Sequence, residues 1–229
     1  MATTVDNIFS KIYKYYDVMN TILSFGVDSK WRDACVSEAM LMPRNCSLLD
    51  VATGTGELAI KIAKAAEKRR ISVSIDAVDT NRMMLALAVK KAKKAKVENI
   101  RFRRGNALSL PYRSRTFDVV TCSFALRDFD DLTQFLYEVR RVLKPHGRFV
   151  FIDMAMPNNP YSKLFFSIYA YLMRLIGALV ARGAYKWLVE SIRGFDKRAL
   201  LKLIKSEGFR NVKIANLATG IAFIVVGAR

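Results

Sequence analysis

The chain has 229 residues, 52% of them hydrophobic and 25% charged, enough to bury one sizeable core with small additions. Its three cysteines, Cys35, Cys46 and Cys122, are widely spaced and accompanied by a single histidine. That excludes a disulfide framework and a zinc site, and burial as small apolar residues is expected instead. The net charge of +18 asks for an anionic partner, and it is uneven: Lys61 to Arg104 holds 14 Lys or Arg against 4 Asp or Glu.

Met1 to Met42 reads as helical, with Ile8, Ile12, Tyr15, Tyr16 and Met19 on one stripe and a second amphipathic segment after Asp28. Asp, Lys and Asn recur through its first 28 residues, so no signal-peptide pattern forms and a cytoplasmic position is expected. Tyr16 and Asn20 stand one helical turn apart and share a face, as a lid over a ligand requires. From Ser47 the pattern changes. Short apolar runs over 47–52, 72–78, 100–103, 117–123 and 147–154 alternate with charged helical segments from Glu57, Asn81 and Asp130. This alternation predicts a doubly wound α/β fold, a mostly parallel sheet covered on both faces.

After Pro160 comes an apolar helical stretch, Leu164 to Ala181. Lys163, Arg174 and Arg182 interrupt it, and about 20 apolar residues are needed to span a bilayer, so it is expected to cap an apolar pocket or rest on a membrane surface. A helix over 197–206 follows, then runs over 212–217 and 221–227 that predict a closing antiparallel hairpin. The expected organisation is an amino-terminal helical lid over 1–42, a main domain over 43–229, and a helical insertion over 160–195 on the substrate side.

The strongest motif is Leu48-Leu49-Asp50-Val51-Ala52-Thr53-Gly54-Thr55-Gly56-Glu57, a buried strand entering glycines and then a helix. Glycine lets a ligand approach the backbone, and the helix start offers unpaired N–H groups. Gly54-x-Gly56-x-x-Ala59 also satisfies a dinucleotide fingerprint, with Asp79 closing the next strand as an acceptor for ribose hydroxyls. Asp50 and Glu57, which open and close the motif, would repel a pyrophosphate and suit the cationic methionine end of S-adenosylmethionine. Cofactor-binding candidates are therefore Asp50, Thr53, Gly54, Thr55, Gly56, Asp79, Thr80, Asn106 and Ala107, with Asn106-Ala107 placed to read adenine.

Tyr16-Asp17-Val18-Met19-Asn20, Ser24-Phe25-Gly26, the Asp50-to-Glu57 loop, Asn106-Ala107-x-x-Leu110-Pro111, Ser123-Phe124-Ala125-Leu126-Arg127 and Glu190-Ser191-Ile192-Arg193 together span nearly the whole chain. In these motifs the sequence resembles the ubiquinone/menaquinone-biosynthesis C-methyltransferases. The resemblance implies the seven-stranded, Rossmann-like class I methyltransferase sheet, S-adenosylmethionine contacts at Thr55, Asp79, Asn106, Ala107 and Ser123, and a prenylated hydroquinone as substrate. Ala125 and Asp128 depart from the family pattern, which usually has Gly and Asn there.

Methyl transfer to carbon needs a nucleophilic ring carbon in line with the sulfonium, and a hydroquinone supplies one once a hydroxyl loses its proton. No covalent catalyst is needed, and Cys122 in its apolar strand is expected to be buried. Arg127, Tyr16 and Asp128 are the catalytic candidates, Arg127 as the partner of a phenolate, and Asn20, Tyr185 and Arg193 stand on the substrate side. His146 reads as a turn residue. No metal is expected. The basic segment suits anionic lipid, RNA or plain solvation. The implied partners are a lipid-soluble quinol, an anionic membrane surface and a second copy in a homodimer. An RNA methyltransferase and a non-enzymatic cofactor-holding protein are the competing readings; no Asp/Asn-Pro-Pro-aromatic turn or RNA module supports the former.

Overall fold

The computed structural model describes residues 17, 21, 24, 26–157, 159–164, 166–168, 170–171, 184–217 and 220–229, the side chains of 184–186 excepted. Tyr16, Asn20, the Tyr185 side chain and the part of the apolar stretch beyond Tyr171 lie outside the described residues.

Strands β1 (Asn45–Val51), β2 (Ser72–Asp79), β3 (Ile100–Arg104), β4 (Phe117–Ser123), β5 (Leu143–Met154), β6 (Arg210–Leu217) and β7 (Ala222–Ala228) form one sheet in the order β3-β2-β1-β4-β5-β7-β6. β1 to β5 are parallel, whereas β7 runs antiparallel to both β5 and β6. The doubly wound class and the antiparallel ending agree with the sequence reading. β7 is inserted between β5 and β6, so the chain closes on the middle of that half of the sheet. The helices whose bounds lie among the described residues are α1 (Val27–Ala39), α2 (Glu57–Lys68), α3 (Arg82–Lys94), α4 (Leu132–Val142), α5 (Ala184–Gly194) and α6 (Lys197–Ser206), with a 3-10 turn at Leu126–Asp128.

Successive side chains of a strand face opposite sides of the sheet, so a strand covered on both faces must be apolar throughout. In β1, Leu48 belongs to a core shared with Cys35, Ala59 and Ile62, while Leu49 and Val51 belong to a second core shared with Phe135, Val139 and Ile204. All three β1 residues are fully buried. Three helix starts, those of α3, α4 and α6, are fixed by side-chain caps just outside them. Asn81 accepts from Met83 N (2.9 Å) and Met84 N (3.2 Å), Asp131 from Gln134 N (2.9 Å) and Asp196 from Arg198 N (2.7 Å).

One boundary differs from the sequence reading. β5 begins at Leu143, paired with Phe117, instead of at Gly147, because the register slips between Phe117 and Val119 and His146 takes a left-handed backbone at φ 63. The turn expected at His146 is thus absorbed as an irregularity within the strand.

All three cysteines are buried. No helix of the described residues is long and apolar enough to cross a membrane. The described residues of 160–171 are helical from Pro160 on, with Phe166 and Ala170 buried on one side. Tyr161, Leu164, Ile168 and Tyr171, 53–83% exposed, stand on the other.

Candidate active site

The carboxyl ends of β1, β2 and β4 lie side by side, and each is followed by a turn that carries candidate residues. Between β1 and α2 the loop is held by backbone: Thr53 N donates to Val78 O (3.0 Å) and Gly56 N to Thr53 O (2.9 Å). Asp79, at the end of β2, accepts from Gly54 N (2.8 Å) through Oδ2 and from Asn81 N (2.8 Å) through Oδ1. One carboxylate thereby braces the glycine loop and the start of α3.

The two glycines do different work. Gly54 sits at φ +56 with nothing within 4 Å of where a Cβ would stand, so it faces an open cradle. Gly56 sits at φ +78, and a Cβ there would lie 3.0 Å from the Ala88 Cβ and 3.2 Å from the Phe102 ring. The first leaves room for a ligand; the second lets the start of α2 pack against α3 and β3.

Asp50 is 1% exposed beneath this loop, and its oxygens accept from Thr53 Oγ1 (2.6 Å) and Thr121 Oγ1 (2.6 Å). Burial pushes its carboxyl up to about 6, against the pull of those two hydroxyls. Thr55, 2% exposed, donates to Asp17 Oδ1 (2.7 Å). Lys91 of α3 reaches Asp17 Oδ2 (2.8 Å), Thr55 Oγ1 (3.2 Å) and Glu57. This four-residue network ties the amino-terminal segment to the glycine loop. It also neutralises Lys91, one of the charges in the basic segment. Glu57 therefore meets a lysine of its own chain, and nothing in the lysine-rich run distinguished Lys91 from its neighbours.

Thr80, partly exposed, accepts from Arg104 Nε (3.1 Å) at its carbonyl. Asn106 is exposed and its Oδ1 accepts from Leu108 N (2.9 Å), a tight Asx turn after β3. Ala107 is buried beside it, and Ser123 closes β4 partly open to solvent. Ala52 (φ 52) and Phe124 (φ 58) hold left-handed backbone just past the ends of the adjacent strands β1 and β4. Non-glycine residues seldom adopt it, and such strain is typical of functional turns.

The second cluster follows β4. Arg127 Nη1 pairs with Asp153 Oδ1 and also donates to Phe124 O (3.2 Å). Its Nε donates to Ser191 Oγ (3.2 Å), and its backbone N donates to Asp153 Oδ2 (3.2 Å). The Arg127 side chain is only 5% exposed, so it is a buried clamp joining the turn after β4 to β5 and α5. Asp128 Oδ1 stands 3.9 Å from Arg127 Nε, a longer pairing than the one to Asp153. Asp153 and Ser191 escaped the sequence reading; Ser191 lay within a quoted motif, while Asp153 carried no signal beyond ending an apolar strand. Arg193 is exposed on α5, while Ser191 of that helix meets Arg127. Cys122 is fully buried and burial pushes its thiol well up, which removes it as a nucleophile. Among the described residues no group of His, Cys, Asp and Glu is placed to hold a metal ion.

A seven-stranded sheet of this order, with a glycine cradle at β1 and an acid at the end of β2, defines the class I methyltransferase fold. Solved structures agree. A methyltransferase from Methanococcus maripaludis described as putatively S-adenosyl-L-methionine-dependent superposes at a TM-score of 0.69, with 18% identity over 96% of this chain and 92% of that one. A SAM-dependent methyltransferase from Aquifex aeolicus gives 0.59, with 18% identity over 80% of this chain and 81% of that one. The profile of the ubiE/COQ5 methyltransferase family matches residues 1–229. The demethylmenaquinone methyltransferase of Deinococcus radiodurans is 41% identical over 228 residues, covering 97% of this chain and 91% of that protein. The ubiquinone/menaquinone biosynthesis C-methyltransferase UbiE of Rickettsia prowazekii is 36% identical, covering 96% of this chain and 90% of that protein. The chain belongs to the ubiE/COQ5 methyltransferase family and is a methyltransferase.

Proposed function

We propose that this chain methylates a ring carbon of a prenylated hydroquinone of the demethylmenaquinol type, in respiratory quinone biosynthesis, using S-adenosylmethionine. The open cradle at Gly54 beside Asp79, in a chain 41% identical to a demethylmenaquinone methyltransferase, carries this reading. Bound there, S-adenosylmethionine supplies an electrophilic methyl carbon. Thr53, Gly54, Thr55 and Gly56 shape the cradle around its methionine end from above, and Asp50 supports them from below. Asp79 and Thr80 take the ribose, Asn106 and Ala107 the adenine, and Ser123 the side nearest the acceptor. Arg127 and Asp128 mark the acceptor side, with Tyr16, Asn20, Tyr185 and Arg193 as further substrate-side candidates. The work of the chain is positioning and water exclusion.

Asp79→Ala removes both the ribose acceptor and the brace on Gly54. It is expected to weaken S-adenosylmethionine binding by about 1–3 kcal/mol in calorimetric titration. Unchanged affinity would move the ribose elsewhere.

Residues 1–42 act as a lid in this reading, supported by the hold of Asp17 on Thr55 and Lys91. Residues 160–195 form the substrate-side insertion. Its exposed stripe, Tyr161, Leu164, Ile168 and Tyr171, and the net charge of +18 support peripheral contact of a cytoplasmic protein with an anionic membrane. Co-sedimentation with anionic vesicles tests it; a dimer in sedimentation that the stripe holds together would assign the stripe to a second copy.

The decisive assay offers a labelled methyl donor with extracted lipid quinols and, separately, with bulk RNA. Label in the quinol ring is the expected result. RNA labelling with a steep salt dependence and no lipid turnover would overturn the substrate class.

A further inference from the structure

The loop after β3 carries Asn106 and Ala107, and its backbone hangs from one side of α4. Gln134, Glu138 and Arg141 stand at positions i, i+4 and i+7 of that helix, and so along one face of it. Gln134 Nε2 donates to Leu108 O (2.9 Å), and Leu110 N donates to Glu138 Oε2 (2.6 Å). Arg141 Nη2 donates to Leu110 O (2.9 Å) and its Nη1 to Tyr112 O (2.6 Å). The same guanidinium grips Glu138 with two parallel bonds, Nε to Oε1 (2.6 Å) and Nη2 to Oε2 (2.8 Å). The loop is thus tied at alternate residues, as a strand is tied to its neighbour, but by side chains.

These ties reach the candidate site through one residue. Asn106 Oδ1 accepts from Leu108 N, while Leu108 O is the atom that Gln134 holds, so a shift at Gln134 passes directly to the Asn106 side chain. Ala107 and Leu110 bury their side chains in the second core, which leaves the exposed Asn106 amide to be placed by the polar ties. Glu138 is buried, and a buried ion pair adds little net stability over an apolar pair of the same volume, so what it contributes here is a fixed geometry. Hydrogen bonding from Arg141 holds the Glu138 carboxyl below its usual range, which keeps the pair charged at neutral pH.

The geometry points to Gln134, Glu138 and Arg141 as positioning residues for the base of the methyl donor: acting through the loop, they set the one conformation in which Asn106 and Ala107 meet the hydrogen-bonding edge of adenine. This rests on the assignment of Asn106 and Ala107 to adenine above, and not on the identity of the acceptor. Hypoxanthine differs from adenine at that edge alone, its carbonyl replacing the amino donor and its N–H replacing the ring acceptor. A loop fixed in place rejects the wrong pattern, because its own polar groups are left unpaired, whereas a loop free to shift pairs with both. Base selectivity is therefore what the ties control. Lost stability alone would lower the fraction of competent protein and leave the ratio of two affinities unchanged.

The test is the calorimetric affinity for S-adenosylhomocysteine and for S-inosylhomocysteine, its hypoxanthine analogue, measured on the whole chain at a temperature where each variant is folded. Wild-type protein should prefer the adenine form by about tenfold or more. Gln134→Ala, at a partly exposed position, removes the tie to Leu108, and Arg141→Lys keeps a charge beside Glu138 but loses the fork that reaches Leu110 O and Tyr112 O. Each should reduce the preference about threefold, and the double variant about tenfold. A preference that all three variants keep, whatever happens to their melting temperatures, overturns the proposal and leaves the adenine assignment standing. Wild-type protein that binds both ligands equally overturns the adenine assignment and the proposal with it.

Discussion

Arg127→Ala is expected to cost about 3–5 kcal/mol of folding free energy above neutral pH, the loss that follows when one partner of a buried ion pair is removed. The substitution leaves Asp153, fully buried, and Asp128, nearly so, without their counter-charge. It also releases Phe124 O and Ser191 Oγ, so the turn after β4 loses its tie to α5. The deficit has a pH signature. Removing the guanidinium takes away the charge that holds the Asp128 carboxyl down, so the variant's native state binds a proton more tightly there and its stability falls as pH rises through that window. Asp128 in the wild type already has this sign between 3.8 and about 7. Urea unfolding should therefore show a smaller deficit in mild acid than above neutrality. An equal deficit at both would mean that lost packing carries the effect. Arg127→Lys keeps the charge without the planar fork and should recover part of the stability.

The second large effect separates two glycines of one motif. Gly56→Ala should destabilise the fold by about 2–4 kcal/mol, combining a left-handed backbone with crowding against Ala88 and Phe102. In a chain of this length that lowers the melting temperature by roughly 10 °C. Gly54→Ala should cost only about 1–2 kcal/mol of stability, from backbone alone, because its methyl group meets nothing of the protein. That methyl would project into the cradle, so donor affinity should drop by about tenfold or more. The reverse pattern, a stable Gly56 variant that fails to bind and an unstable Gly54 variant that binds normally, would exchange the two assignments.

The fold was legible because apolar runs and helical periodicity are local signals. β1, β2 and β4 each carry a short apolar run, and charged periodic segments from Glu57, Asn81 and Asp130 mark helices between the strands. The glycine loop was legible for the same reason, its residues being consecutive. What escaped was long-range pairing. Asp153 meets Arg127 across 26 residues and Lys91 meets Asp17 across 74, and neither distance leaves a trace in periodicity. Arg127 was readable as a functional residue, but its burial as a clamp was not, because that depends on how α5 returns to the turn after β4. The relation between Arg127 and Asp128 looked like a simple pair in sequence. In space a third charge, Asp153, takes Nη1 of the arginine, and Asp128 stands 3.9 Å from its Nε.

The position of β7 has a consequence for how the protein is made. β5 carries Phe149, Val150, Phe151 and Ile152, all fully buried, and its outer edge is covered by β7. β7 is synthesised long after β5, so during translation this apolar edge stays open while some seventy residues are added, a period in which it can pair with any other exposed strand. Natural sequences guard such edges with charge, and Arg148 and Asp153 flank this run. Nascent chains released before Ala222–Ala228 should aggregate through β5, and a chaperone that shields strand edges should raise the yield of the whole protein more than one that binds helices.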